Sequence, residues 1–302
     1  GCEMIQVTDE QELVDFLKKF SRLFNLVRVV DPIGKKVLSC ESRNEFAVAQ
    51  SSCFDFWKNN TFCLNCVSSM AIAEDDTFLK IEYNKEKVFM VIASPIVFSG
   101  RKYVVEILKD ITETGIIPGL KGKTIEEIYD MIESLNRKVI TDELTQVFNR
   151  KYIDQRLPVD IYNAAANRVY LSAIMLDVDQ FKEINDTYGH PCGDLVLQKT
   201  ARIIESCIRD GDWISRYGGD EFLVVLPGAF HDTAHKISED IRRKAERESF
   251  EYNGADISFT VSIGSYTMVS MDTGPIPMER LLTLADQMMY RAKKSGKNKI
   301  TD

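Results

Sequence analysis

Residues 213–226 read as a β-hairpin closed by Gly218-Gly219-Asp220-Glu221. Trp213-Ile214-Ser215-Arg216-Tyr217 supplies one apolar strand, and Phe222-Leu223-Val224-Val225-Leu226 the other. Two glycines permit positive φ and a close backbone approach, so the tip is tight. It leaves two adjacent carboxylates on a rigid sheet edge, where oxygen ligands suit a hard cation such as Mg²⁺. An isolated acidic hairpin with no function carries the same string.

A second acidic strand end narrows the reading. Val169-Tyr170-Leu171-Ser172-Ala173-Ile174-Met175-Leu176 is a buried-strand pattern that runs into Asp177-Val178-Asp179. Alone, those aspartates would be turn or helix-capping residues. Beside the hairpin, they complete the set of carboxylates from which a metal-assisted phosphoryl-transfer site is built.

Further motifs follow in fixed order. They are Asp142-Glu143-Leu144-Thr145, Asn149-Arg150, the run from Asp177 to His190, Gly193-Asp194, Arg216 to Phe222, and Ala292-Lys293-Lys294-Ser295-Gly296-Lys297-Asn298. Together they resemble the GGDEF diguanylate cyclase family over about residues 141–302. The resemblance implies a palm-like sheet flanked by helices. The activity it implies joins two GTP into cyclic di-GMP and two pyrophosphates with Mg²⁺ or Mn²⁺. It places the metal on Asp177, the Val178 carbonyl, Asp220 and Glu221, with Glu221 associated with either metal or base. Lys182 joins the catalytic set, and the loop through Asp179, Phe181 and Lys182 offers backbone donors to phosphate. Lys293 and Lys297 match the triphosphate-contacting pair, and Lys at the second position lacks an arginine fork. Asn185 and Asp194 match the guanine readers, with helix capping as the alternative role for Asp194. Arg209 and Asp212 match an inhibitory product site of the form RxxD. A second arginine is common on the helix after the hairpin; Asp240 falls there, with Arg242 and Arg243 nearby. The rival readings are a GGDEF module that binds nucleotide without turning it over, and a metal or redox sensor whose cyclase output is conditional.

The chain has 302 residues and a formal net charge of −8, with 44% hydrophobic residues. That length accommodates two cores. No strongly basic stretch suggests a nucleic-acid groove, so DNA and RNA are excluded as partners. No apolar run reaches the length of a membrane span and no leader pattern opens the chain, so a cytoplasmic location is expected.

The fold class expected is α+β in three parts: an antiparallel sheet domain over 1–117, a helical linker over 118–141 and the cyclase domain over 142–302. Residues 8–26 read as a helix with a cap at Thr8 or Asp9. Strands follow at 26–30, 36–40, 77–83, 88–96 and 102–110. Two strands, a helical middle and three strands resemble a PAS-like sensor, a resemblance that Asp110-Ile111-Thr112 reinforces. Pro118-Gly119 and Gly122 mark the exit. Ile125, Ile128, Ile132, Leu135 and Val139 are then spaced 3, 4, 3 and 4. That is the seam of a short coiled coil, predicting a homodimer through the linker, unless the helix packs on its own domain.

Seven cysteines, an odd number, argue against a disulfide framework. Cys40, Cys53, Cys63 and Cys66 cluster, and Cys63-Leu64-Asn65-Cys66 has metal-ligand spacing. Zn²⁺, an iron–sulfur cluster, a redox thiol pair and simple burial among aromatics are the readings that this spacing admits.

Overall fold

A computed structural model describes residues 5–21, 23–40, 51–57, 63, 65–112, 123–268 and 276–302. The chain divides into two compact units, Gly1–Val139 and Ile140–Asp302. The expected exit at Pro118-Gly119 and Gly122 lies outside the described residues.

The first unit contains β1 (Ile5–Val7), α1 (Glu10–Ser21), β2 (Leu26–Asp31), β3 (Lys36–Cys40), α2 (Val67–Glu74), β4 (Phe78–Tyr83), β5 (Val88–Phe98), β6 (Arg101–Asp110) and α3 (Ile125–Ile140). The sheet runs β3-β2-β6-β5, with β4 antiparallel and β1 parallel along successive stretches of β5. The start of α1 is fixed as the sequence suggested: the Glu12 amide donates to Asp9 Oδ1 at 2.9 Å, and Thr8 donates its amide and hydroxyl to Glu12. The helix ends at Ser21 rather than 26, because Leu23 and Phe24 turn back onto the Phe20 carbonyl before Leu26 enters the sheet. Leu13 and Leu17 pack on Val27, Val29, Ile96 and Val105. The opposite face buries Trp57, Val67 and Ala71 against Val30, Val91 and Leu108. Strand alternation separates these two clusters, since Val29 and Val30 point opposite ways.

Helix α3 places part of the expected seam within its own unit. Ile132 is buried with Tyr83, Val88 and Ile111, and Ile128 packs on the same cluster. Leu135 and Val139 remain 51% and 39% exposed, and the Ile125 side chain lies outside the described residues. Part of the stripe thus serves the helix's own unit, and a buried hydrogen bond from Asn65 Nδ2 to Asn136 Oδ1 at 3.2 Å adds a polar tie.

The second unit contains α4 (Arg150–Asn167), β7 (Leu171–Val178), α5 (Phe181–Tyr188), α6 (His190–Glu205), β8 (Trp213–Gly218), β9 (Glu221–Pro227), α7 (His231–Arg247), β10 (Ser249–Tyr252), β11 (Ala255–Ser258), β12 (Val261–Met268), α8 (Met278–Lys294) and β13 (Ile300–Thr301). The main sheet has the order β13-β12-β7-β9-β8. All eight residues of central β7 are buried, as expected for a strand covered on both faces. Ile174, Leu176, Val224 and Ile263 meet Val196, Ala201 and Ile241 of α6 and α7. Helices α4 and α8 cover the other face. Strands β11 and β12 follow one another, and β10 pairs with β11 as a small hairpin. Helix α6 begins at His190, with Gly189 at its N-cap and φ +84°.

Candidate active site

Strand pairing brings the acidic residues together. Strands β7 and β9 are antiparallel, with Asp177 directly opposite Glu221. The Val178 amide donates to the Asp220 carbonyl at 3.3 Å, tying the end of β7 to the hairpin tip. Arg216 braces that tip. Its Nε and Nη2 donate to the Gly219 carbonyl at 3.0 and 2.7 Å, and Nη1 donates to both Asp142 oxygens at 3.2 Å. Asp142 in turn accepts from the Thr145 amide and hydroxyl. The Asp142-Glu143-Leu144-Thr145 motif is therefore a support for the hairpin, a role its spacing did not disclose.

Like charges opposite one another are unfavourable unless something offsets them. Lys293, on the last turn of α8, lies 2.6 Å from Asp177 Oδ2. Burial still pushes the Asp177 carboxyl up to about 6 against the pull of Lys293, and Asp220 adds to the rise. Burial likewise raises Glu221, opposed by Lys293 and reinforced by Asp220. Among the described residues, no three His, Cys, Asp or Glu side chains stand grouped to hold a metal ion. The oxygen-only set of Asp177, Asp220, Glu221 and the Val178 carbonyl nonetheless has the chemistry of a hard divalent cation site, and it is short of positive charge.

Asp179 has a different fate from Asp177. It accepts from Thr260 Oγ1 at 2.7 Å, Ser262 Oγ at 2.6 Å and the Asn298 amide at 2.9 Å. Saturated in this way, it organises the loop and anchors the turn that carries Lys297, which is exposed with φ +59°. Phe181 and Lys182 open α5, the first half-buried and the second exposed. Asn185 faces Gly193 on α6 so closely that a Cβ there would stand 2.0 Å from Asn185 Oδ1. That oxygen is buried without a hydrogen-bond partner. Asp194, the residue after Gly193, is exposed and is the fifth residue of α6, so it is not the helix cap.

A family model described as "Diguanylate cyclase, GGDEF domain" matches residues 139–299. The chain belongs to the GGDEF diguanylate cyclase family. It is 36% identical over 181 residues to diguanylate cyclase DosC of Escherichia coli K12, covering 59% of this chain and 38% of the relative. It is 38% identical over 166 residues to diguanylate cyclase A of Treponema denticola, covering 53% and 43%. The coiled coil and GGDEF domain of DgcB from Caulobacter crescentus, solved in complex with c-di-GMP, superposes with a TM-score of 0.54 at 27% identity, covering 59% of this chain and 92% of that one. The chain spans about two-fifths of the length of these curated relatives.

Arg209 Nε donates to Asp212 at 3.2 Å, and Nη2 to the Pro227 carbonyl at 2.9 Å, so the RxxD pair is closed on itself. Arg242 is engaged by Glu239, Glu246 and Asn298, and Arg243 by Glu239. In the first unit, Cys53, Cys63 and Cys66 line one cavity of about 20 Å³ with Arg28, Lys80 and Glu106. Arg28 and Glu106 pair at 2.6 Å, and Lys80 and Glu82 at 2.7 Å. Burial pushes the Cys63 thiol up to about 12 and raises Cys53 as well. The Cys40 side chain lies outside the described residues.

Proposed function

We propose that this protein is a diguanylate cyclase, condensing two GTP into cyclic di-GMP and two pyrophosphates. The observation that carries the reading is the convergence of Asp177 and Glu221 across paired strands, with Lys293 at 2.6 Å. Asp177, Asp220, Glu221 and the Val178 carbonyl would hold Mg²⁺ or Mn²⁺, which supplies charge neutralisation at the reacting phosphate. Glu221, at the metal, would also be the carboxylate that assists removal of the 3′-hydroxyl proton. Lys293, Lys297 and Lys182 provide cationic contacts for the phosphates. Phe181, Asn185 and Asp194 form the base site: the buried Asn185 oxygen and the Asp194 carboxylate are acceptors, matching the N1–H and N2–H₂ donors of guanine. The intact carboxylates favour turnover over mere nucleotide binding. Incubation with GTP and Mg²⁺ followed by chromatography of the products separates the two. Asp220→Ala and Asp177→Ala should each lower the rate more than about 100-fold without unfolding the domain. Retained turnover in Asp220→Ala would reject the site.

The first unit is read as a PAS-like sensor over residues 1–117, supported by the strand order β3-β2-β6-β5-β4. The helical linker 118–141 would pair two copies, since each cyclase domain holds one GTP. Arg209 and Asp212 would bind product to inhibit the enzyme, which requires their mutual pair to open. For the sensor, Cys53, Cys63 and Cys66 with Cys40 would hold Zn²⁺ or an iron–sulfur cluster; the first three line one cavity, and they would have to draw together to ligate it. Metal analysis of protein prepared without oxygen tests that part. A chain consuming GTP works where nucleoside triphosphates are made, in the cytoplasm. No helix among the described residues is long and apolar enough to cross a membrane.

A further inference from the structure

Lys293 occupies a position with two claims on it. Its ammonium lies 2.6 Å from Asp177 Oδ2, and the Asp177 side chain is only 8% exposed. The same lysine matches the family residue that contacts the triphosphate, and a single ammonium directed at Asp177 is withdrawn from that task.

The pairing does not come from a loosely tethered surface side chain. Gly264 of β12 lies so close to α8 that a Cβ there would stand 1.9 Å from the Met289 amide nitrogen and 2.4 Å from the Ala285 carbonyl oxygen. Ala292, immediately before Lys293, is fully buried. The backbone carrying Lys293 is therefore fixed against the sheet, and β12 pairs with β7 so that Ser262 faces Asp177. From that fixed base the ammonium reaches a carboxylate that stands beside Asp220 and Glu221. Three carboxylates against one ammonium leave an excess of negative charge, as in a site built for a divalent cation. Once such a cation sits on Asp177, the ammonium is repelled there, and the nearest new negative charge is a nucleotide triphosphate.

We propose that Lys293 is an exchangeable counter-ion, bonded to Asp177 in the ligand-free protein and released to the triphosphate when Asp177 binds a divalent cation. The inference rests on the metal and nucleotide site proposed above. A cation arriving alone must displace the ammonium. A triphosphate arriving alone must draw the ammonium away and leave a buried carboxylate bare, which is unfavourable. Arriving together, each removes the obstacle met by the other. Linkage makes this coupling mutual, and such couplings commonly span about 5–150-fold.

The test uses the full chain and Mn²⁺ as the probe, with free Mn²⁺ read by electron paramagnetic resonance, with and without a non-hydrolysable GTP analogue. Lys293→Met should bind Mn²⁺ alone about tenfold more tightly than the unaltered protein, and the tightening of Mn²⁺ by the analogue should shrink by a similar factor. Lys293→Arg, which keeps the pair, should behave as the unaltered protein. Lys294→Met removes the neighbouring charge, which lies over Tyr290, and should leave Mn²⁺ binding nearly unchanged. Equal Mn²⁺ affinity in Lys293→Met and the unaltered protein would overturn the exchange. So would an equal gain in Lys294→Met, since that would be bulk charge alone. Asp177→Asn should abolish the binding in every background; Mn²⁺ binding that survives it would overturn the site assignment itself, a failure distinct from the other two.

Discussion

At the scale of the residue, Asp177 and Asp179 show how one motif yields two jobs. They are separated by a single position, yet one is paired with Lys293 and faces the hairpin carboxylates, while the other is saturated by Thr260, Ser262 and Asn298. The motif identified both as acidic strand-end residues. Only the donors brought in from Thr260 and Ser262 and from the turn after α8 distinguish the two. Asn185 is a similar case: its buried, unpartnered oxygen is unfavourable as it stands, and under the proposed function a guanine donor would supply its partner. Asp194→Ser should therefore reduce the preference for GTP over ATP by roughly tenfold or more. Competition between the two nucleotides checks it, and an unchanged preference removes Asp194 from the base site. Glu239 gives a pH-dependent prediction. Its hydrogen bonds to Arg242 hold its carboxyl down to about 2, against an ordinary 4.5. A carboxyl depressed on folding contributes stability that is present above 4.5 and is lost as pH falls from there towards 2. Glu239→Gln should flatten that part of the acid limb in denaturant titrations. An identical slope in the two proteins would show that Arg242 gains nothing from the charge.

At the scale of the element, the site depends on how α8 lies on the sheet. The approach of Gly264 to Met289 and Ala285 leaves no room for a methyl group against backbone atoms that cannot rotate away. Gly264→Ala should shift α8, destabilise the second unit by about 1–3 kcal/mol, and carry Lys293 out of reach of Asp177. Denaturant unfolding and cyclase assays on the same preparation check both effects; unaltered stability would mean that the helix docks more loosely than this contact requires. The strands and helices around the site were legible because their patterns are long: β7 and β9 are continuous apolar runs bounded by turn residues. Strands β10 and β13 were not, since four and two residues carry too little periodicity. The start of α6 is hard to read from the sequence for a related reason. Gly189-His190-Pro191 reads as a breaker, yet proline is tolerated in a first turn, where its missing amide has no partner to lose.

At the scale of the whole molecule, α3 joins the first unit to Ile140, where the second begins. Its apolar stripe is shared between two uses. Ile128 and Ile132 pack on Tyr83, Val88 and Ile111, while Leu135 and Val139 stay exposed. Changing Leu135 and Val139 to Lys should weaken self-association, and with it activity at low protein concentration, while the first unit keeps its melting temperature. Ile132→Lys should instead destabilise the first unit, because a charge would enter a packed cluster. Sedimentation and thermal melts distinguish the two. Full dimerisation of the exposed pair variant would show that the linker is not the contact. The buried Asn65–Asn136 hydrogen bond ties the Cys63-to-Cys66 segment to this helix, giving the thiol cavity a physical connection to the linker within its own unit.

The sequence by itself determined the strand-end carboxylates and the family, because these rest on local patterns: alternation, glycine turns and motif order. The spacing of isoleucines along α3 could not decide between a partner helix and the helix's own sheet, since either surface satisfies the same stripe. Nor could it show that Arg216 braces Gly219, that Asp179 is saturated, or that Lys293 holds Asp177. Those facts depend on residues far apart in the chain meeting at one sheet end, and only strand register and helix docking set the distances over which charge acts.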